Sequence, residues 1–110
     1  MRAILEHEAE IDPTLDADGV VQTGLGPVKD TKRYTGTRVQ WSGTFAGGWD
    51  VSLEGTVDGS NYVVIVANVV AAAITEVPAF WRHMRLNVHT VGDAGEMTAT
   101  LGGWTVGDHE

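Results

Sequence analysis

From residue 20 onward, apolar and polar side chains alternate with period two, and glycine-containing turns interrupt the alternation at short intervals. This is the pattern of half-buried β-strands. Val20-Val21-Gln22-Thr23 reads as a short strand ended by a Gly24-Leu25-Gly26-Pro27 turn. Over residues 37–45, Val39, Trp41, Gly43 and Phe45 share one face, while Arg38, Gln40, Ser42 and Thr44 take the other. Past Ala46-Gly47-Gly48, Trp49, Val51 and Leu53 face inward, with Asp50, Ser52 and Glu54 outward. Asp58-Gly59-Ser60-Asn61 is a hairpin signal, because glycine supplies positive φ without a steric penalty. A strand over residues 81–90 sets Met84, Leu86 and Val88 inward and His83, Arg85, Asn87 and His89 outward. Gly92-Asp93-Ala94-Gly95 then turns into residues 96–101, whose inward set is Met97, Ala99 and Leu101. Gly102-Gly103 predicts a bulge or bend before Trp104. The best helix candidate, residues 68–75, is short and Ala-rich, and reads equally as a loop followed by an edge strand. Short strands at a spacing of about 10 residues predict an all-β fold: an antiparallel two-sheet β-sandwich or jelly roll.

One stretch departs from the alternation. Tyr62-Val63-Val64-Ile65-Val66-Ala67 and the following Val69, Val70 and Ile74 are apolar on both faces. A strand in a two-layer sandwich has only one face to bury, so the second face calls for cover by a loop, the N-terminal segment or another subunit. Tyr62, Val63, Val64, Ile65, Val66, Val69, Val70 and Ile74 are therefore the candidate self-association residues, and a homo-oligomer, dimer or trimer, is expected. The stretch is interrupted by Asn68 and falls short of the roughly 20 residues of a membrane helix, so no membrane partner is expected.

Composition narrows the classes. A chain of 110 residues fits one domain with a modest core. Its 7 Lys and Arg against 15 Asp and Glu give a net charge of −8, the wrong sign for holding phosphates, so no nucleic-acid partner is expected. The charge is uneven. Residues 1–19 hold Glu6, Glu8, Glu10, Asp12, Asp16 and Asp18 against Arg2 alone, leaving residues 20–110 nearly balanced as the sandwich domain. The acidic segment reads either as a solvated leader or as an extended N-terminal arm docking on a neighbouring subunit, with Ile4, Leu5, Ile11 and Leu15 as spaced anchors. The start turns acidic at Glu6, unlike a secretory signal. With no cysteine there is no disulfide, thiolate metal site or Cys nucleophile.

Catalytic patterns are missing. Gly24-Leu25-Gly26 lacks the third glycine and the helix of a dinucleotide site, and no serine sits in a nucleophile elbow. His7-Glu8 lacks the second histidine of a zinc-protease helix, and Asp58, Ser60 and Asn61 lack the later glutamate of a calcium loop. His83 and His89 stand about 20 Å apart along one strand, and Asp50 and Glu54 about 13 Å apart, too far for a shared metal or a glycosidase pair. No enzyme activity, cofactor or metal is expected. Trp41 and Trp49 alternate in phase with aliphatic neighbours and read as core. Trp81 and Trp104, with His83, Arg85, Asn87 and His89, form the candidate face for a protein partner or glycan.

Two stretches carry a family likeness. Val39-Gln40-Trp41-Ser42-Gly43-Thr44-Phe45 is followed by Trp49-Asp50-Val51-Ser52-Leu53-Glu54-Gly55-Thr56-Val57-Asp58-Gly59-Ser60-Asn61-Tyr62, and later comes Pro78-Ala79-Phe80-Trp81-Arg82-His83-Met84-Arg85-Leu86-Asn87-Val88. Over roughly residues 37–104 the chain resembles small β-sandwich structural proteins of tailed bacteriophages, with Thr56 and Tyr62 where that hairpin often has Ser and Trp. The hairpin also resembles that of discoidin-type carbohydrate-binding jelly rolls, without their recognition loops. The phage resemblance implies a capsid decoration (cement) protein. Such a protein would be made in the host cytoplasm and would sit on the capsid exterior, with the major capsid protein as partner. The alternatives are a carbohydrate-binding module of a tail fibre or baseplate, and a tail or neck structural protein.

Overall fold

A computed structural model describes residues 2–34, 36–77, 81–93 and 95–108. Among them there is no helix, and the strands, in chain order, are β1 (Arg2–Ile11), β2 (Gly24–Leu25), β3 (Lys29–Asp30), β4 (Gly36–Ser42), β5 (Asp50–Thr56), β6 (Val63–Val69), β7 (Ala73–Val77), β8 (His83–Thr90) and β9 (Thr98–Asp108). They form two antiparallel sheets. One runs β1-β9-β4-β7; the other runs β2-β8-β5-β6, with β3 also on β8. The fold is an all-β sandwich, as the alternation predicts.

Alternation decides which side chains meet between the sheets. Val39 and Trp41 of β4 and Ala99 and Leu101 of β9 face Val51 and Leu53 of β5 and Met84, Leu86 and Val88 of β8, all buried. Each large side chain so buried contributes about 1.5–3 kcal/mol. Trp41 and Trp49 both lie in this core, and the Trp41 indole N–H donates to Thr75 Oγ1 at 3.2 Å, tying β4 to β7. Residues 73–77 of the Ala-rich segment are an edge strand, the second of its two readings. Asn68, in positive φ, lies within β6 where the β5–β6 register shifts between the Val51–Val69 and Leu53–Val66 pairs.

Two local expectations are corrected. Residues 20–23 are not a strand. Val21 makes only an isolated bridge to Leu15, and the short strand is Gly24–Leu25, where the sequence suggested a turn. Asp16 explains this: its Oδ1 accepts the N–H groups of Asp18 and Val20 at 2.8 and 2.9 Å, giving the backbone a local turn in place of a ladder. Nor do Gly102 and Gly103 make a bulge, since β9 pairs through them in unbroken register with both β1 and β4. At Gly103 the reason for glycine is proximity. A Cβ there would stand 2.9 Å from the Tyr34 ring packed beneath the strand.

The acidic segment lies against β9. Arg2 to Ile11 pair with Asp108 to Ala99 along their whole length, and Ile11, 2% exposed, belongs to this chain's own core. β4 reaches only as far as Gly36 opposite Trp104, so beyond that row β1 and β9 continue as a two-stranded ribbon.

Candidate functional site

The polar stripe of β8 lies on the outer face of the second sheet, and the register supplies each member with a partner. Glu54 stands opposite Arg85, and Ser52 opposite Asn87. Arg85 Nε donates to Glu54 Oε1 at 2.9 Å, and Asn87 Nδ2 donates to Glu54 Oε2 at 3.1 Å. The Tyr62 ring covers the same guanidinium, with 3.6 Å from its carbon to the ring centroid. The Arg85 and Glu54 side chains are only 20% and 12% exposed, which makes this a semi-buried network with both charges satisfied. His89 Nε2 lies 2.8 Å from the hydroxyl of buried Ser52. A hydroxyl beside an imidazole is half of a nucleophile–base pair. Among the described residues, no carboxylate holds the other ring nitrogen. His83 lies opposite Thr56 on one side and Asp30 on the other.

The hairpin between β5 and β6 is organised by one carboxylate. Asp58 Oδ1 accepts the N–H groups of Ser60 and Asn61, both at 2.8 Å, and the Thr56 hydroxyl at 2.9 Å. Asp58 Oδ2 takes the Asn61 side-chain amide at 2.7 Å. These donors, the Asn61 backbone N–H foremost, hold the Asp58 carboxyl far below the usual carboxylate range. Gly59 sits at φ 87°, as the hairpin signal requires. The Asp30 carboxyl is lowered in the same way, chiefly by the Lys32 N–H.

Among the described residues β6 and β7 are each one edge strand of their sheet, and residues 70–72 join them, so these two edges run along one flank. The candidate self-association residues divide here. Val63, Val64, Val70 and Ile74 are between 55% and 63% exposed. Ile65 and Val66 pack against the core, Val69 is part of it, and Tyr62 lies over Arg85. Glu76 is the one acid within either strand, reaching Arg38 at 3.7 Å. The β5–β6 pairing slips register twice, a bulged edge of the kind that discourages random strand addition.

The outer face of the first sheet carries a groove of about 680 Å³, lined by Glu6, His7, Glu8, Arg38, Gly102, Gly103 and Trp104. Register builds it. Glu8, Gly102 and Arg38 form one row across β1, β9 and β4, and Glu6 and Trp104 stand opposite each other in the next. Gly102 brings no side chain, so the middle of its row is a hollow between a carboxylate and a guanidinium, with the Trp104 indole at its edge. No ion pair or hydrogen bond to a described residue occupies the Glu6 or Glu8 carboxylate. Below the sheet, His7 packs against Tyr34, ring centroids 5.6 Å apart.

The two aromatic candidates thus part company. Trp104 lines the groove, whereas Trp81 is half-buried over Gly55, beside a smaller 300 Å³ notch with Lys32, Val57 and Arg82. Of the proposed arm anchors, Ile11 is core, Leu15 is exposed beside its bridge to Val21, and the side chains of Ile4 and Leu5 lie outside the described residues. Pro78-Ala79-Phe80 of the quoted likeness lies outside them too. Glu6, Glu8 and Arg38 are not candidate site residues in the sequence, and Gly102 enters it only as a bulge signal. Their signal was present, in acids at alternate positions 6, 8 and 10 ahead of Ile11. Among the described residues no cluster of three or more His, Asp or Glu side chains could hold a metal, and no helix is long and apolar enough to cross a membrane.

No protein-family model matches the chain, and no curated protein or solved structure does either.

Proposed function

We propose that the chain is a non-enzymatic structural protein of a virion, a capsid decoration (cement) protein. It assembles with copies of itself through the β6–β7 flank and binds the outside of a phage head. The observation that carries this reading is the uncovered apolar flank: Val63, Val64, Val70 and Ile74 are exposed on and between two edge strands whose outer backbone groups have no strand partner among the described residues. Covering each of these half-exposed side chains is worth about 1 kcal/mol, and repetition over symmetric copies multiplies the gain. The likeness of residues 37–104 to phage sandwich proteins supplies the setting, with the major capsid protein as the partner. The acidic surface suits docking on a basic shell patch, with association slowing as salt rises.

Two measurements test this. Sedimentation equilibrium should show an oligomer that Val64→Lys with Ile74→Lys reduces to monomer while the strand signature in circular dichroism persists. Quantitative mass spectrometry of purified heads lacking tails should find the protein at hundreds of copies, following the usual multiplicity of a symmetric shell. A monomeric wild type, or a few copies confined to tails, would sink the reading.

A further inference from the structure

We propose that the groove over Gly102 is a saccharide-binding site, distinct from the β6–β7 flank. Trp104 is its stacking platform, Glu6 and Glu8 accept sugar hydroxyls, and Arg38 donates to ring or hydroxyl oxygens. Three observations converge. An indole lies at the rim of an open groove on a sheet surface, offering an apolar plane to the C–H face of a pyranose. The two carboxylates are unoccupied by the protein's described groups, so their acceptor capacity is available. Gly102 leaves the row between Glu8 and Arg38 empty, a span of two strand spacings or about 10 Å, wide enough for one ring with its hydroxyls. The volume of about 680 Å³ lies in the range of small-ligand sites, roughly 300–1,000 Å³, and is far larger than an ion needs.

Charge selects the class of sugar. Two carboxylates repel uronic and sialic acids, leaving neutral or N-acetylated hexoses. Carboxylates beside an indole also attract an ammonium group. The guanidinium across the hollow opposes a cation and favours a ligand that brings donors and acceptors together. Glu76 holds Arg38 at 3.7 Å through one nitrogen, and the remaining donors of the fork are free to turn inward.

The test is a titration of the ¹⁵N-labelled full chain with cellotriose, maltotriose and chitotriose, following the Trp104 indole N–H and the amides of residues 6, 8, 38 and 102. Trigalacturonic acid and a lysine-rich peptide serve as controls. At least one neutral trisaccharide should shift these signals saturably, and the acidic one should not. Trp104→Ala should weaken binding by about tenfold or more, equivalent to about 1.4 kcal/mol. Gly102→Val should weaken it similarly while removing no polar group. A Cβ at Gly102 meets Arg38 Cγ at 3.7 Å and the Arg38 carbonyl oxygen at 4.0 Å, both ordinary contacts, and valine suits a strand, so this variant is expected to fold. The proposal is overturned if no neutral trisaccharide moves the groove signals, if only the lysine-rich peptide does, or if binding survives both substitutions.

Discussion

The two outer faces of this sandwich carry similar side chains put to opposite use. On the second sheet, Glu54, Arg85, Asn87 and Tyr62 close on one another, and Ser52 closes on His89. On the first, Glu6 and Glu8 flank a hollow with an indole at its rim and hold no described residue, while Arg38 reaches the exposed Glu76. The first set is semi-buried and internally satisfied; the second is wet and unspent. A polar stripe read from alternation therefore does not identify a binding face. What distinguishes the faces is whether the neighbouring strand brings a complementary group into register.

The largest effect should come from breaking the satisfied face. Glu54→Ala leaves the Arg85 guanidinium and the Asn87 amide without their acceptor under a partial cover, and should lower unfolding free energy by about 2–3 kcal/mol in urea titrations. Glu54→Leu combined with Arg85→Leu should recover much of that loss, because the pair's desolvation disappears with it. Additive single and double effects would show that the network is not a unit.

Asp58 gives a smaller, pH-dependent effect. Its folded pKa lies far below the ordinary value of 3.8, so its stabilisation is complete above that value and fades as pH falls toward the folded pKa. Asp58→Asn should lower the melting temperature at neutral pH, and the gap to wild type should narrow as the pH drops below 3.8. A gap independent of pH would assign the effect to turn geometry alone.

The smallest effect sharpens the comparison from the other side. Glu6→Gln and Glu8→Gln remove exposed charges that pair with no described residue and should change stability by no more than about 0.5 kcal/mol in the same titrations. A loss above about 1 kcal/mol would make the groove face structural, like its counterpart.

Much of the sandwich was legible in the sequence, because burial of one strand face is written locally. Val39 and Trp41, Val51 and Leu53, Met84, Leu86 and Val88, and Met97, Ala99 and Leu101 all fall inward as alternation requires. What stayed hidden was non-local. Nothing near Arg85 announces Glu54, and nothing near Trp104 announces Glu6, because both pairings are set by strand register between distant segments. Local side-chain chemistry also overrode the pattern, as when Asp16 folded residues 16–20 into a turn. Gly102 and Gly103 were visible as unusual, but glycine reads the same whether it serves a bend, a close approach or an empty hollow. The groove needs both Trp104, a candidate in the sequence, and the opposing acids, which the sequence offers only as part of a solvated leader or an arm.

The position of β9 has a kinetic consequence. It comes last among the described strands yet sits inside its sheet, between β1 and β4. Until β9 docks, β1 has no ladder to join and β4 pairs on one side only. The first sheet is then an assembly of contacts between the two ends of the chain, a topology of high contact order that closes slowly, on the order of milliseconds to seconds. During that interval the edge of β4 and the apolar β6–β7 flank are exposed together. The risk of mispairing is greatest before the last strand arrives, so crowded synthesis is where this protein most needs a partner or a chaperone.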